Sequence, residues 1–242
     1  MVFPKIQMRK GDTTTMRQQE SKPIFATDLD GTCIFSNREL EDTHDFIEVD
    51  ASGSYRGYMH KNLYEHLKDW NKEIWFVPVT TRSKAQYERI RLPITPHLAL
   101  AANGAVLYVD GVEDVTWYQY IRQQVEPYIH TLQELSNHPC AKLIEGIFIA
   151  CHFDSVKEAD AYVCEQLTHI DKTHFHIHQK GRKVFVIPHL LEKGEAVKRL
   201  ARHYAIPYIY GAGDSVMDTS LLEASNRVIE IRQLKEKGDY RE

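Results

Sequence analysis

Four aspartates stand in two short segments of the chain, each just past an apolar run that is typical of a buried strand. Asp28 and Asp30 form the first pair, and Asp214 and Asp218 form the second. Carboxylates gathered closely repel one another unless a cation lies among them. Such hard oxygen ligands, without a nearby cysteine or committed histidine, favour Mg²⁺ over zinc. A carboxylate beside Mg²⁺ can attack phosphorus, and a second one can protonate the leaving oxygen and later deprotonate a water.

Two further residues have the chemistry to hold a phosphoryl group. Thr80 offers a hydroxyl and Lys193 an ammonium, and both suit charge that is spread over several oxygens. Taken singly, each residue also has an ordinary structural interpretation. Thr80 can simply end a strand, Lys193 can be a solvated charge before a helix, and Asp-Gly pairs are common in turns.

These residues need a framework that brings several strand ends together. Apolar runs alternate with amphipathic helical segments, which predicts a doubly wound, mostly parallel Rossmann-like α/β sheet covered on both faces. The carboxyl ends of parallel strands share one edge, so the polar clusters converge in one crevice. The predicted strands are 23–27, 74–79, 97–101, 207–210 and 228–231, with a small hairpin over 46–60 that turns near Gly53.

The pattern changes between about 113 and 188, which predicts an inserted α+β cap. The expected elements are one helix marked by Ile121, Val125, Ile129 and Leu132, a strand over 143–153, a helix opened by a capping box at Ser155 and Glu158, and a hairpin of 174–178 with 183–187. The chain is thereby divided into a loose tail over 1–22, a catalytic core over 23–112 and 189–242, and a cap over 113–188.

Composition excludes several classes of protein. The 242 residues carry 30 basic and 34 acidic side chains, and a net charge of −4 argues against a nucleic-acid or anionic-membrane partner. Hydrophobic residues make up 43%, which is too many for a disordered chain. No segment has enough consecutive apolar residues to span a membrane. The four cysteines are irregularly spaced, which indicates reduced thiols and not a disulfide framework. We therefore expect a cytoplasmic protein; its oligomeric state is open.

The motifs resemble those of the haloacid dehalogenase (HAD) superfamily phosphatases. Residues 25–32 (FATDLDGT) look like the first motif, 79–82 (VTTR) are similar to the second, and Lys193-Gly194 to the third. Residues 213–218 (GDSVMD) are similar to the fourth. The ANGA stretch at 102–105 resembles a signature of the Cof-like and sucrose-phosphatase-like subgroup, whose cap is inserted between the second and third motifs.

The resemblance implies a role for each matched residue. Asp28 is the nucleophile that forms an aspartyl-phosphate, and Asp30 is the general acid/base whose backbone carbonyl also meets the metal. The phosphate is held by Thr80, Lys193, Gly31 and Thr32, while Asp214 binds Mg²⁺ and Asp218 supports it from behind. Thr81 and Met217 depart from the glycine and asparagine usual at their positions. Neither departure removes a catalytic group, and Asp30 argues against the dehalogenase branch, which lacks it.

A second group of residues is expected to contact the rest of the substrate. It comprises Arg82, Asn103, His176, His178 and Arg182. His174, His176 and His178 alternate along the predicted hairpin, so they would share one face of the cap sheet and form a roof over the substrate. A three-histidine metal site is the alternative interpretation, although every-other spacing along one strand rarely lets three histidines reach one ion.

Together these features predict a Mg²⁺-dependent phosphatase. Because the cap can close over the crevice and exclude bulk solvent, a small phosphorylated metabolite is favoured as the substrate. The resemblance implies a sugar phosphate as the substrate. A phosphosugar mutase that uses the same aspartate pair is one alternative. A non-catalytic metal- or ligand-binding protein that uses the cap histidines is another.

Overall fold

The computed structural model describes residues 21–38, 40, 45–50, 56–70 and 72–236. The predicted tail lies outside the described residues except for its last two, and so does the turn predicted near Gly53. The strands are β1 (Ile24–Thr27), β2 (Phe35–Ser36), β3 (Phe46–Glu48), β4 (Gly57–His60), β5 (Trp75–Pro78), β6 (Leu98–Ala101), β7 (Val106–Val109), β8 (Val112–Glu113), β9 (Ala141–Ile144), β10 (Phe148–His152), β11 (Phe175–Lys180), β12 (Lys183–Pro188), β13 (Ile209–Ala212) and β14 (Arg227–Val228). The helices are α1 (Lys61–Trp70), α2 (Lys84–Tyr87), α3 (Val115–Val125), α4 (Ile129–Ser136), α5 (Val156–Ala161), α6 (Lys193–Tyr204), α7 (Thr219–Glu223) and α8 (Ile231–Lys235).

A parallel sheet in the order β14-β13-β1-β5 forms the core. A parallel bridge between Val79 and Leu100 connects β5 to β6, which continues into antiparallel β7 and β8. Side chains of β1 alternate between the two sheet faces. Ile24 packs in one buried cluster with the apolar stripe of α6, and Phe25 packs in another with that of α1. Helices therefore cover both faces, and the predicted doubly wound α/β fold is confirmed.

A separate antiparallel sheet, in the order β11-β12-β10-β9, belongs to the insert. Its buried face includes Ile149 and Val186, which are directly opposed across β10 and β12 and belong to the larger hydrophobic cluster. Helix α4 packs against β9 and β10 on this side. The sheet and its helices form the α+β cap. No helix in the described part of the chain is long and apolar enough to cross a membrane.

Two elements of the insert differ from the prediction. The single helix expected from Ile121 to Leu132 is divided into α3 and α4 by a 3₁₀ turn at Glu126–Tyr128, because Pro127 has no N–H to donate to a helical carbonyl. The single strand expected over 143–153 is the hairpin of β9 and β10. Its turn contains Glu145 and Gly146, both with positive φ, a conformation that Asn-Gly usually signals and Glu-Gly does not.

Candidate active site

The first motif forms a tight turn at the carboxyl end of β1. Asp28 donates its backbone N–H to the carbonyl of Ala212, the last residue of β13, at 3.0 Å. Gly31 has φ +91°, and a Cβ built on it would lie 2.5 Å from Oδ2 of Asp214. A side chain here would both strain the turn and displace that carboxylate. Glycine therefore allows the first and fourth motifs to meet.

Lys193 lies between two buried carboxylates. Its Nζ is 2.7 Å from Oδ1 of Asp28 and 2.6 Å from Oδ1 of Asp218. The lysine side chain is 2% exposed, and those of the aspartates are 8% and 0% exposed. Charges removed from water in this way must neutralise one another. The third motif thus meets the first and the fourth in one buried cluster.

Asp218 also organises the loop of the fourth motif. Its Oδ2 accepts hydrogen bonds from the backbone N–H of Asp214 at 3.1 Å, from that of Ser215 at 2.9 Å, and from the Ser215 hydroxyl at 2.8 Å. Two carboxylate oxygens therefore have separate tasks: one binds Lys193 and the other holds the loop that positions Asp214.

Three of the four aspartates can share a cation. One ligand atom from each of Asp28, Asp214 and Asp218 lies within 4.8 Å of the others. Oxygen donors with this charge suit Mg²⁺, which prefers carboxylates and retains several waters. The residues present therefore fit the ion that the motifs imply. The side chain of Asp30 is outside this group because it faces Arg82.

Arg82 binds Asp30 with two parallel hydrogen bonds. Nε lies 2.8 Å from Oδ2, and Nη2 lies 2.7 Å from Oδ1. Such paired contacts fix the plane of the carboxylate as well as its position. Burial alone would raise the pKa of Asp30, but the hydrogen bonds and charge of Arg82, assisted by the charge of Lys183, lower it below its usual value.

Within the buried cluster, the pKa values of the three side chains are shifted in different directions. Burial raises the pKa of Asp28 to about 6, because desolvation and the nearby Asp218 charge outweigh the attraction of Lys193. Burial acts in the same direction on Asp218, but Lys193 and Ser215 lower its pKa overall. Burial opposes the charge of Lys193, yet the two carboxylates raise its pKa above the usual value. The lysine is therefore firmly cationic.

The two predicted threonines are both buried beside the aspartates. The Thr80 hydroxyl accepts a hydrogen bond from the Arg82 backbone N–H at 3.2 Å. Thr32 is 1% exposed, and its hydroxyl has no hydrogen-bond partner within the described structure. A buried hydroxyl without a hydrogen-bond partner destabilises a fold, and a bound ligand would supply the missing partner.

Asn103 and Gly104 brace the helix that carries Lys193. The Asn103 backbone N–H donates to the Thr80 carbonyl at 2.8 Å, and its side-chain amide donates to the Leu191 carbonyl at 2.5 Å. Gly104 has φ +91°, and a Cβ there would lie 2.2 Å from that of Ala196 in α6. The ANGA segment thus joins the second motif to the third, and the Asn103 amide is engaged in that link.

One side of the cap sheet faces the core. Lys180 and Lys183 are directly opposed across β11 and β12, so their side chains share a face. On this face Lys180 Nζ lies 2.5 Å from Oδ2 of Asp214, and His176 hydrogen-bonds to the Glu192 carboxylate. We refer to this surface as the core-facing side of the cap sheet.

The other predicted cap residues are divided between this side and the solvent. His178 lies on the core-facing side, with its ring 5.4 Å from that of His176. Arg182 is not brought to the aspartates, because its guanidinium donates to the Asp154 carbonyl at 3.2 Å. His174 precedes β11, so the three histidines do not share one strand face as predicted. Within the described residues they do not form a group with metal-binding spacing.

Three residues that contact the site region were not identified from the sequence. They are Lys180, His189 and Glu192. The His189 ring stacks on that of His176, with 3.7 Å between centroids. The available signals were positional only: Lys180 ends a strand at a predicted hairpin turn, and Glu192 directly precedes Lys193. Neither signal tells which residue of the core the cap touches.

A cavity of about 400 Å³ separates the core from the cap sheet. Its core wall includes Asp30 and Arg82, and its cap wall includes Lys183 and Phe185. We call this space the cap–core cleft. A larger cavity of about 690 Å³ lies among the cap helices, and none of the predicted catalytic residues lines it.

Comparison with known proteins identifies a related family. The sequence profile of the family described as sucrose-6F-phosphate phosphohydrolase matches residues 21–241. No significant match was found among curated protein sequences.

Solved structures share the fold at low sequence identity. The sucrose-phosphatase of Synechocystis, solved with sucrose and phosphate, is 19% identical, with a TM-score of 0.59 over 86% of this chain and 82% of that one. A HAD-like hydrolase from B. subtilis is 17% identical, with a TM-score of 0.51 over 90% and 93% of the two chains. A HAD phosphatase from Bacteroides thetaiotaomicron is 14% identical, with a TM-score of 0.53 over 93% and 96%. Since the family profile spans nearly the whole chain, this protein belongs to the sucrose-6F-phosphate phosphohydrolase family of HAD phosphatases and is a phosphoric monoester hydrolase.

Proposed function

We propose that the protein hydrolyses a small sugar phosphate, with Mg²⁺ and through a covalent aspartyl-phosphate. The observation that carries this proposal is the buried cluster in which Lys193 lies between Asp28 and Asp218, with Asp214 close to both. The sugar-phosphate part is supported by the family and by the Synechocystis enzyme, which was solved with sucrose and phosphate.

Asp28, Asp214 and the backbone carbonyl of Asp30 would hold Mg²⁺, with Asp218 supporting the set. When bound, the ion would neutralise charge between the nucleophile and the phosphoryl group. Lys193, Thr80 and the Gly31–Thr32 turn would bind the phosphoryl oxygens. Their role is to favour the trigonal, spread-out charge of the transition state over the charge of the substrate.

The two aspartates of the first motif would divide the reaction between them. Asp28 attacks phosphorus, a bond forms between its carboxylate oxygen and phosphorus, and the bond from phosphorus to the leaving oxygen breaks. Asp30 gives a proton to that leaving oxygen. Asp30 then takes a proton from water, the water oxygen attacks phosphorus, and Asp28 is released with inorganic phosphate.

The cap, over residues 113–188, would complete the site from above. Its core-facing side contacts Asp214 through Lys180 and reaches Glu192 through His176. A closed cap excludes water other than the hydrolytic one and limits access to small substrates. A phosphorylated metabolite therefore fits the cap–core cleft better than a phosphoprotein.

The test is an Asp28→Asn variant assayed with Mg²⁺. Phosphate release from p-nitrophenyl phosphate and from a panel of sugar phosphates should fall by at least about 10³-fold. Asp69→Asn, which changes an exposed aspartate of α1, is the matched control and should retain activity. Near-normal turnover by a folded Asp28→Asn protein would refute the covalent scheme.

The Asp30→Asn variant examines the second half of the reaction. It should accumulate phosphoenzyme, visible as an added phosphate in the intact mass after brief exposure to substrate, because no base remains to activate water. Isomerised sugar phosphate without free phosphate, from the wild-type protein, would indicate a phosphosugar mutase instead.

A further inference from the structure

One aromatic side chain lies on the cap wall of the cap–core cleft. Phe185 is on β12, which has β11 on one side and β10 on the other. Its neighbours Val184 and Val186 are fully buried in the larger hydrophobic cluster. Because successive side chains of a strand point to opposite faces, Phe185 lies on the core-facing side of the cap sheet, where it is half-buried and lines the cleft.

Phe185 has no ring partner among the residues that the structure describes, although other cap rings are paired, such as those of Tyr128 and Phe175 with 5.5 Å between centroids. The directly opposed neighbours of Phe185 are His178 on β11 and Ala150 on β10. Ala150 has only a methyl group, so it leaves space beside the ring. A half-exposed aromatic ring in a concave site is available to a ligand.

The cap wall of the cleft has an apolar centre and a polar edge. Ile144, Ala150 and Phe185 form the centre, and Lys142 and Lys183 belong to the edge. Lys142 is directly opposed to Ala150, and Lys183 precedes Phe185 by two residues on the same strand face. Both lysines are exposed, so they remain hydrated without a bound anion and can donate hydrogen bonds to hydroxyl groups.

The position of Asp30 identifies the part of the substrate that this wall would meet. Asp30 protonates the leaving oxygen in the proposed function, on which this inference rests, and it lines the core wall of the same cleft. The leaving alcohol must then extend from Asp30 toward the cap wall. A sugar in its ring form has faces of C–H groups, which pack on an aromatic ring, and edges of hydroxyls, which bind polar groups.

We infer that Phe185 is a specificity-determining residue, on whose ring the leaving sugar stacks. Phe185 selects a leaving alcohol in its ring form over an open-chain alcohol with the same charge and the same number of carbons. The open chain has no continuous apolar face for the phenyl ring, and it also loses more conformational freedom on binding. Phe185 touches only the leaving group, so it acts on substrate binding and not on proton transfer.

Matched substrates test this inference with the full chain and Mg²⁺. Glucose 6-phosphate offers a six-membered ring and fructose 6-phosphate a five-membered ring. Glucitol 6-phosphate is the open-chain control, with the same charge and number of carbons. For at least one ring sugar, kcat/KM should exceed that of glucitol 6-phosphate by about fivefold or more. Equal or better hydrolysis of glucitol 6-phosphate than of both ring sugars would overturn the inference.

Variants locate the effect at the ring. Phe185→Leu should bring the ratio of kcat/KM between ring and open-chain substrates close to one, chiefly by raising KM for the ring sugar, whereas Phe185→Tyr should retain the ratio. Tyr64→Leu, which removes a half-buried ring of α1 outside the cleft, should also retain it.

Ala150→Leu provides a second variant that keeps the phenyl ring but fills the space beside it, and it should lower the same ratio. The ratio compares two substrates of one protein sample, so it does not depend on the folded fraction. An unchanged ratio in Phe185→Leu would overturn the inference, and so would an unchanged ratio in Ala150→Leu if Phe185→Leu does not fold.

Binding measurements separate this inference from the proposed function. If no substrate, including p-nitrophenyl phosphate, releases phosphate, the proposed function fails. Calorimetric titration of the same three sugar phosphates into the protein then decides the inference by itself. A dissociation constant about fivefold lower for a ring sugar than for glucitol 6-phosphate, with the difference lost in Phe185→Leu, supports it. Dissociation constants that are equal, or lower for glucitol 6-phosphate, reject it.

Discussion

At the scale of single residues, the site depends on charges that neutralise one another. Lys193 compensates two buried carboxylates, and Arg82 compensates Asp30. Each cation therefore stabilises the fold and also sets the protonation state of an aspartate. Removing Lys193 should therefore change the stability of the fold, and removing Arg82 should change the pKa of Asp30, in addition to any effect on the rate of turnover.

Lys193→Met tests the buried cluster. The variant retains the apolar stem but leaves Asp28 and Asp218 buried without a counter-charge, so we expect it to lower the free energy of unfolding by about 3 kcal/mol at neutral pH. Urea denaturation measures this loss. Lys198→Met is the control, because that lysine makes an exposed pair with Glu195 on the same helix and should cost less than about 1 kcal/mol. Equal losses would mean that the buried charges are not coupled.

Arg82→Gln tests the control of Asp30. Arg82 lowers the pKa of Asp30, so the substitution should raise that pKa. In the proposed function Asp30 acts as a general acid only while protonated, so the limb of the kcat/KM profile that reports Asp30 should move to higher pH. Arg122→Gln, which breaks a surface pair with Glu126, should leave the profile in place. A profile of Arg82→Gln in which no limb moves, or in which that limb moves to lower pH, would contradict this assignment.

At the scale of elements, the segment at 102–105 positions the start of α6. It has three consecutive residues with positive φ, and it connects the Thr80 carbonyl to the Leu191 carbonyl through Asn103. The tryptophan at 117 adds a further bond from its indole N–H to the Gly104 carbonyl at 3.0 Å. A loop that is not itself reactive thus determines where Lys193 begins its helix.

Gly104→Ala tests this support. Its Cβ would lie 2.2 Å from that of Ala196, so backbone strain and overpacking together should cost about 3 kcal/mol, and the displacement of α6 should reduce kcat. Gly181→Ala is a matched control, because Gly181 also has positive φ but has no atom near the added Cβ. It should cost only about 1 kcal/mol, measured by urea denaturation. Adding Ala196→Gly should recover part of the Gly104→Ala loss, and a failure to do so would place the defect elsewhere.

At the scale of the whole molecule, the cap and the core meet across the site. Lys180 at the tip of the cap hairpin binds Asp214, and His176 binds Glu192 beside Lys193. Both contacts come from β11, an edge strand of the cap sheet. Any movement of the cap must therefore break or remake its contacts with Asp214 and Glu192.

Lys180→Gln tests the link between the cap and the ion. In the proposed site Mg²⁺ and the Lys180 ammonium compete for Asp214, so the variant should bind Mg²⁺ more tightly. Exposed ion pairs contribute up to about 1 kcal/mol, which corresponds to a decrease in the dissociation constant of up to about fivefold. Calorimetric titration with Mg²⁺ measures this change in affinity. Lys157→Gln, which changes an exposed lysine of α5, is the control. An unchanged or weakened affinity would contradict the competition.

The sequence by itself determined the class of fold and the strand ends at which its motifs lie. This was possible because both are local properties: apolar runs, helical spacing and short polar motifs are written in neighbouring residues. Two local signals still misled the prediction. Pro127 divides a helix that was predicted to be continuous. Glu145-Gly146 forms a hairpin turn, although the sequence lacks the residues that usually indicate such a turn.

Only the tertiary structure decided which other residues contact the motif residues. The pairing of Asp30 with Arg82, the bracing of α6 by Asn103, and the contact of Lys180 with Asp214 join residues that are distant in the chain. Such contacts depend on how the cap packs on the core and on the register of its sheet, neither of which leaves a periodic signal. The cap wall of the cap–core cleft has the same origin, because its residues come together only when β9, β10 and β12 lie side by side.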